Sequence, residues 1–440
     1  MDQQKEHRRQ RRNRTLKSGR IIFNGGYSVL TCTIRNLSEG GAMIEVVAML
    51  GIPHEFDLAV EPAPPRRCRV AWRRDNRLGV YFVTAENAAL DRPEETGPVS
   101  EPAPVPAELR APELPSAPAS PGKPETTEAP KPAARSKRPL TGVWPPVTTP
   151  FRDDGAVDNS RLAKHCRRLL DDGAHGLAVL GTTSEANSLT LAERHGVIEG
   201  LLKAGIDADK LLPGVGACAV DDAASLTRYA GEIGAAAVLL LPPFFYKKVN
   251  DEGLYTFVSR IIDKAGSYTP RILLYHIPPI AVVGWSLELI GRLISAFPGI
   301  VVGMKDSSGD FEHTKRVIEA FPGFVVFPGA ETNLVSAMQA GGAGCISATA
   351  NINARGIRAV FDRWMESDAA RHQSAANAVR MAIEKRVMIS ALKAVLAVRY
   401  GDSVWNNVRA PLLALTPGER AELFHDPAIA QLLEPEKTTV

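Results

Sequence analysis

The feature that most constrains this chain is an alternation. Apolar, strand-like runs recur at 143–149, 176–181, 211–217, 236–242, 271–277, 300–304, 324–328 and 344–348, with helical patterns between them. TLAERHGVIEGLLKAG, residues 190–205, opens with a capping box from Thr190 to Glu193, and its Val197, Ile198, Leu201 and Leu202 share one helical face. NDEGLYTFVSRIIDKAG starts at Asn250 as N-cap and stripes Leu254, Phe257, Val258, Ile261 and Ile262. Eight strand–helix units of this length predict an α/β (β/α)₈ barrel. Residues 368–425 predict further helices outside that barrel.

Ahead of it, residues 93–139 hold thirteen of the chain's 33 prolines, mixed with Ala, Glu, Ser and Lys. Such a stretch cannot bury enough surface to offset its ordering entropy. It predicts an extended, partly polyproline linker at 91–139 in a multidomain chain, with one domain at 1–90 and another at 140–430. The first domain reads as β. GRIIFNGG, SVLTCTIRNLS, GAMIEVV, HEFDLAV, RRCRVAWRR and RLGVYFV are short, β-rich runs separated by turn residues, which predicts a small antiparallel barrel.

Charge is unevenly shared. Residues 1–90 carry 15 Lys/Arg against nine Asp/Glu, a balance of +6, and the remainder carries 37 against 40, or −3. An anionic partner is therefore expected at the N-terminal module. Cys32, Cys68, Cys166, Cys218 and Cys345 have no zinc-like or CxxC spacing and read as reduced, mostly buried thiols of a cytoplasmic protein. The start MDQQKEHRRQRRNR lacks the apolar stretch of a signal peptide, and no apolar run approaches the roughly 18 residues of a membrane span.

In a (β/α)₈ barrel the reacting groups sit where strands end. The second strand ends in Thr182, Thr183, Ser184 and Glu185, the fourth in Tyr246, the fifth in Tyr275, the sixth in Lys305 and the seventh in Gly329, and the eighth run contains Ile346. Hydroxyls, phenols and one amine thus converge. No His/Asp/Glu group at metal spacing ends these strands, so no metal and no separate catalytic cofactor are expected. His276 reads as structural.

A lysine after an apolar strand is either a solvated surface residue or a nucleophile. In an apolar barrel mouth its charged form is disfavoured, and the neutral amine can add to a ketone as a Schiff base. Tyr275 could then shuttle protons. The Thr182–Thr183 turn offers N–H groups and hydroxyls to a carboxylate. Together these predict a 2-keto acid held at its acid end by GTTSE and covalently at its ketone by Lys305.

GTTSEANSLTLAE, with YHIPP followed about 30 residues later by GMKDSSGD, resembles the signature regions of the dihydrodipicolinate synthase / N-acetylneuraminate lyase family. The likeness extends to VWPPVTTPF, PPFFYKKVNDEGLY and GCISATANI, and spans roughly 140–425. It implies a class I aldolase-type barrel with pyruvate as Schiff-base partner. Lys305 is then the Schiff-base lysine and Tyr275 the phenol beside it, with Thr182 and Tyr246 completing a proton relay. Thr182 and Thr183 match carboxylate-holding positions, and Gly329 and Ile346 pocket-lining ones. The residue matching Tyr246 reaches across a tight dimer interface in this family, which implies a homo-oligomer, a dimer or tetramer. Two positions depart. Ser184 replaces the usual Gly of GTTGE. Ile280 stands where synthases carry an arginine for the second substrate's carboxylate, and an apolar residue cannot pair that charge. Poor synthase activity is therefore expected, with a likeness to the branch that cleaves sugar-like 2-keto acids.

In the basic module, Arg8 and Arg12 are four apart, and Asn36, Ser38 and Gly41 follow as NLSEGG. These resemble the RxxxR and (D/N)xSxxG motifs of PilZ domains, over about residues 6–84. The resemblance implies a six-stranded barrel binding cyclic di-GMP through Arg8, Arg12, Asn36, Ser38 and Gly41. Guanidinium groups bind phosphate bidentately and stack on guanine, and Gly41 permits close backbone approach. A flexible linker of about 45 residues reaches on the order of 35–40 Å and transmits no strain, so regulation would require docking. Two other readings stand beside this one: a catalytically idle barrel acting as a signalling effector, and an enzyme whose arginine-rich N-terminus binds nucleic acid.

Overall fold

The computed structural model describes residues 13–23, 28–46, 55–60, 63–74, 77–83 and 136–434. Arg8, Arg12 and almost all of the expected linker lie outside the described residues. The chain divides into two compact units, 1–127 and 128–440.

The first unit contains six antiparallel strands: β1 (Asn13–Phe23), β2 (Ser28–Ser38), β3 (Gly41–Val46), β4 (Glu55–Val60), β5 (Ala63–Arg74) and β6 (Arg77–Phe82). They close in the order β1-β2-β3-β6-β5-β4, with β1 pairing β4 through Arg20↔Ala59 and its neighbours. Alternate residues enter the barrel. Ile21, Ile34, Ile44, Phe56, Leu58, Cys68, Leu78 and Phe82 are buried there. Removing each large apolar side chain from water contributes about 1.5–3 kcal/mol. Gly41 is required for a packing reason. A Cβ there would come 2.1 Å from the Val80 carbonyl oxygen on β6.

The second unit is a parallel ring. Its assigned strands are β7 (Gly142–Val143), β8 (Val238–Leu240), β9 (Ile272–His276), β10 (Val301–Asp306), β11 (Val325–Pro328) and β12 (Gly344–Cys345). β8 to β11 are neighbours in order, and β12 pairs β7. Bridges at Pro146↔Ala178, Leu177↔Leu211 and Gly214↔Leu239 supply the second and third staves. Ala343 N–H and Ile346 N–H donate to Val326 and Pro328 carbonyls and join β11 to β12. Eight staves therefore close. Regular pairing is shorter than the apolar runs at 143–149 and 211–217, because Pro145, Pro146 and Pro213 have no N–H for the ladder.

Trp144, Leu212, Leu239, Leu273, Phe327 and Ile346 fill one continuous cluster. Helices α1 (Asn159–Asp171), α2 (Leu191–Lys203), α3 (Val220–Glu232), α4 (Asp251–Ala265), α5 (Pro278–Ala281), α6 (Leu287–Ala296), α7 (Phe311–Ala320), α8 (Leu334–Gln339) and α9 (Ala350–Asp362) alternate with the staves. The capping box of α2 forms as the sequence suggests, and Asn250 caps α4 by accepting from Gly253 N–H at 2.9 Å. Four helices follow: α10 (Ala369–Glu384), α11 (Met388–Tyr400), α12 (Pro417–His425) and α13 (Pro427–Leu433). Their apolar faces share a core with Ala348 and Ile352. Among the described residues, no helix is long and apolar enough to cross a membrane.

Candidate active site and nucleotide-binding motif

β9 and β10 run parallel in the register Lys305↔Tyr275. Both side chains are buried, Lys305 at 4% exposure and Tyr275 at 3%. The Lys305 Nζ lies 4.2 Å from the centre of the Tyr275 ring. The Tyr275 hydroxyl is 3.3 Å from Thr182 Oγ1. Burial alone pushes the Tyr275 phenol up. The Lys305 charge and hydrogen bonds with Thr182, Lys305 and Ser307 outweigh it, and the phenol ends below its ordinary value. A buried amine, a phenol readied to give up a proton and a threonine hydroxyl therefore meet at the carboxyl ends of three staves.

The Thr182–Thr183 turn is tightly braced. Ser184 accepts from Gly181 N–H at 3.2 Å and donates to the Val147 carbonyl, while Thr149 donates to the Ser184 carbonyl at 2.8 Å. A glycine in place of Ser184 could make neither side-chain bond. Gly329 approaches closely from β11: a Cβ there would stand 2.0 Å from Ser307 Oγ. Ile346 is fully buried beside Leu273 and Phe327.

Two expected residues lie exposed at the surface of the single chain. Tyr246 is 73% exposed, its ring against Phe245 at 5.3 Å, and forms no hydrogen bond to Thr182 or Tyr275. Ile280 is 63% exposed on α5. Two residues on, Val282 is held at φ +64°, a backbone that β-branched residues rarely adopt.

Asp306, next along β10, contacts the helix layer instead. It accepts from Thr314 Oγ1 at 2.7 Å and Ser308 N–H at 2.9 Å, and lies 2.8 Å from His313 Nδ1. Burial opposes its ionisation, but His313, His276 and the Ser308 N–H together hold its carboxyl below the usual range. His276 stacks on His313 at 4.5 Å, and burial pushes its imidazole down to about 4. Donor atoms of His276, Asp306 and His313 lie within 4.8 Å of one another. Sequence spacing did not show this group, because strands β9 and β10 and helix α7 bring it together. Trp285 N–H donates to His276 Nδ1 at 3.1 Å, which leaves the proton of the neutral ring on Nε2.

A second buried pair had no sequence signal. Lys393 on α11 sits in an apolar run and bonds Glu185 at 2.5 Å, with 0% and 1% side-chain exposure. Burial pushes its ammonium down to about 8, against the opposing charge and hydrogen bond of Glu185.

In the N-terminal barrel, Asn36 and Ser38 are half-buried at the end of β2, and Ser38 Oγ donates to the Gly41 carbonyl at 3.1 Å. Arg66, which the motif does not contain, lies over the Phe82 ring at 3.6 Å and donates to the Glu39 carbonyl at 3.0 Å. A flat guanidinium is thus presented beside the NLSEGG turn.

Residues 139–427 match the model of the dihydrodipicolinate synthetase family, and residues 5–94 match that of the PilZ domain. An "Uncharacterized DapA-like lyase" of Chloroflexus aurantiacus is 34% identical over 284 residues, covering 64% of this chain and 94% of the relative. A 4-hydroxy-tetrahydrodipicolinate synthase of Thermus thermophilus is 35% identical over 228 residues, covering 52% of this chain and 75% of the relative. The crystal structure of dihydrodipicolinate synthase from Agrobacterium tumefaciens superposes with a TM-score of 0.62 at 34% identity, covering 67% of this chain and all of that one. The chain therefore belongs to the dihydrodipicolinate synthetase family, and its sequence places a PilZ domain before the family's barrel.

Proposed function

We propose that this chain is a class I lyase or aldolase that condenses or cleaves a 2-keto acid, pyruvate above all, through an imine on Lys305. The observation that carries this reading is the buried contact of Lys305 with Tyr275, and of Tyr275 with Thr182. Lys305 Nζ adds to the ketone, and the hydroxyl oxygen of the carbinolamine leaves as water once protonated. Tyr275 supplies that proton, which departs in the water, and the phenolate is reprotonated through Thr182, the next hydroxyl in the relay. The iminium withdraws electrons from the adjacent carbon, so a carbon–carbon bond there can form or break. N–H groups and hydroxyls of Thr182 and Thr183 hold the carboxylate. Gly329 and Ile346 line the pocket.

Tyr246 completes the relay only from a second copy, which accounts for its exposure in the single chain. The working form is a homo-oligomer. Ile280 leaves an acidic second substrate without a cationic partner, so the favoured co-substrate is an aldehyde other than aspartate semialdehyde. Residues 1–90 bind cyclic di-GMP through Arg8, Arg12, Asn36, Ser38 and Gly41, with Arg66 offering a further guanidinium, and regulate the enzyme at 140–430 across the 91–139 linker. Five free cysteines accord with a reducing, cytoplasmic setting.

The test is borohydride reduction of the full chain with pyruvate, followed by peptide mapping. An adduct on Lys305 is expected. No adduct, or one on another lysine, overturns the reading.

A further inference from the structure

The turn that carries Thr182 and Thr183 is bracketed by two residues in left-handed backbone. Leu180 lies at φ +59° and Glu185 at φ +56°, and neither is glycine. That conformation is costly for a residue with a Cβ and persists only where the surroundings over-determine it. Around Leu180 the backbones pack closely. Gly214 passes so close that a Cβ there would stand 2.2 Å from the Leu180 carbonyl oxygen. At Glu185 the restraint is the side chain. Its carboxylate takes Lys393 Nζ at 2.5 Å on one oxygen and Arg409 N–H at 2.8 Å on the other. Lys393 also donates to the Asn407 carbonyl at 2.7 Å and lies 4.3 Å over the Phe151 ring. Arg409 in turn donates to the Ser188 carbonyl at 2.7 Å and the Gly155 carbonyl at 2.8 Å, and pairs with Glu193 on α2. The last helices thus grip the turn through one fully buried ion pair. The backbone transmits that grip directly: Glu185 N–H donates to the Thr182 carbonyl at 3.0 Å.

We propose that Lys393, acting through Glu185, is a positioning residue that holds the Thr182–Thr183 turn in the conformation that receives the substrate carboxylate. The inference rests on the Schiff-base reading above and extends the site to α11, more than 200 residues from the turn in sequence. Neither Lys393 nor Glu185 touches Lys305 or Tyr275 through a hydrogen bond. Their effect should therefore reach the site only through Thr182 and Thr183, and appear first in recognition of the acid group.

A buried ion pair is exchanged with least disturbance when both charges go together. The test uses the full chain with Lys393→Met alone and with Lys393→Met plus Glu185→Gln. The pyruvate concentration giving half-maximal borohydride trapping is measured by mass spectrometry, alongside circular dichroism and Tm. The double variant should fold and still trap pyruvate on Lys305 at saturation. Its half-saturating concentration should rise roughly ten- to a hundredfold, the loss expected when a hydrogen bond to the charged carboxylate is no longer made. A merely structural pair would lower Tm and leave half-saturation unchanged. That result, or a double variant that does not fold, overturns the proposal. Wild-type protein that traps no pyruvate overturns the Schiff-base reading itself, and the positioning role falls with it.

Discussion

Lys305 and Tyr275 are register partners on adjacent parallel strands, and the lysine nitrogen stands 4.2 Å from the centre of the phenol ring. Residues at matched positions of neighbouring staves point to the same side of the sheet. The pairing therefore brings the amine and phenol together whenever the barrel closes, without help from a flexible loop.

Tyr275→Phe removes the hydroxyl that faces Thr182 and leaves the ring beside Lys305. Turnover should fall about 10²- to 10⁴-fold, the range for losing one positioned acid–base group. Pyruvate should still be trapped on Lys305, but more slowly. Steady-state kinetics and the rate of borohydride trapping check both parts. A variant with wild-type turnover would remove the phenol from the relay.

The wild-type protein should be a poor dihydrodipicolinate synthase. A missing charge-assisted contact costs about 1.5–3 kcal/mol, or roughly one to two decades in kcat/KM. Ile280 is largely exposed, so an arginine fits there without repacking. Ile280→Arg should raise kcat/KM for aspartate semialdehyde about tenfold or more. Equal use of that aldehyde by both proteins would sink the specificity argument.

Cyclic di-GMP should bind the full chain, and Arg8→Ala with Arg12→Ala should abolish micromolar binding, since each charged contact is worth about 1.5–3 kcal/mol. Arg66→Ala should weaken binding less. Titration calorimetry measures both. Kinetics of the full chain with and without the nucleotide then separate control of activity from recruitment: regulation predicts a changed kcat/KM.

His165 is buried on α1 between Tyr400 and Asn351, at 2.8 and 3.0 Å, and burial holds its pKa near 4 against 6.5 when free. The unfolded chain therefore binds the extra proton first. Stability from this site is fully present above about pH 6.5 and is lost as pH falls towards 4, by roughly 3 kcal/mol in all. The Tm should drop through that window. His165→Gln, which cannot titrate, should show a shallower drop. Parallel curves would contradict the assignment.

Local pattern made much of this protein legible. The six short β runs, the eight apolar staves and the caps at Thr190 and Asn250 all follow from side-chain periodicity and turn chemistry, which act over a few residues. Lys305, Tyr275 and Thr182 could be read because a parallel barrel puts every stave's carboxyl end on one face. Gly41 shows where such reading stops. Its need for no side chain comes from the Val80 carbonyl across the sheet, a neighbour no spacing rule names. His276, Asp306 and His313 meet only because β9, β10 and α7 pack together. The same holds for Lys393, a lysine inside an apolar helix whose partner lies in another half of the domain. Periodicity says which face of an element is buried. Which buried charge meets which is decided by closure of the ring and docking of the last helices, because only there does desolvation force the two ions together.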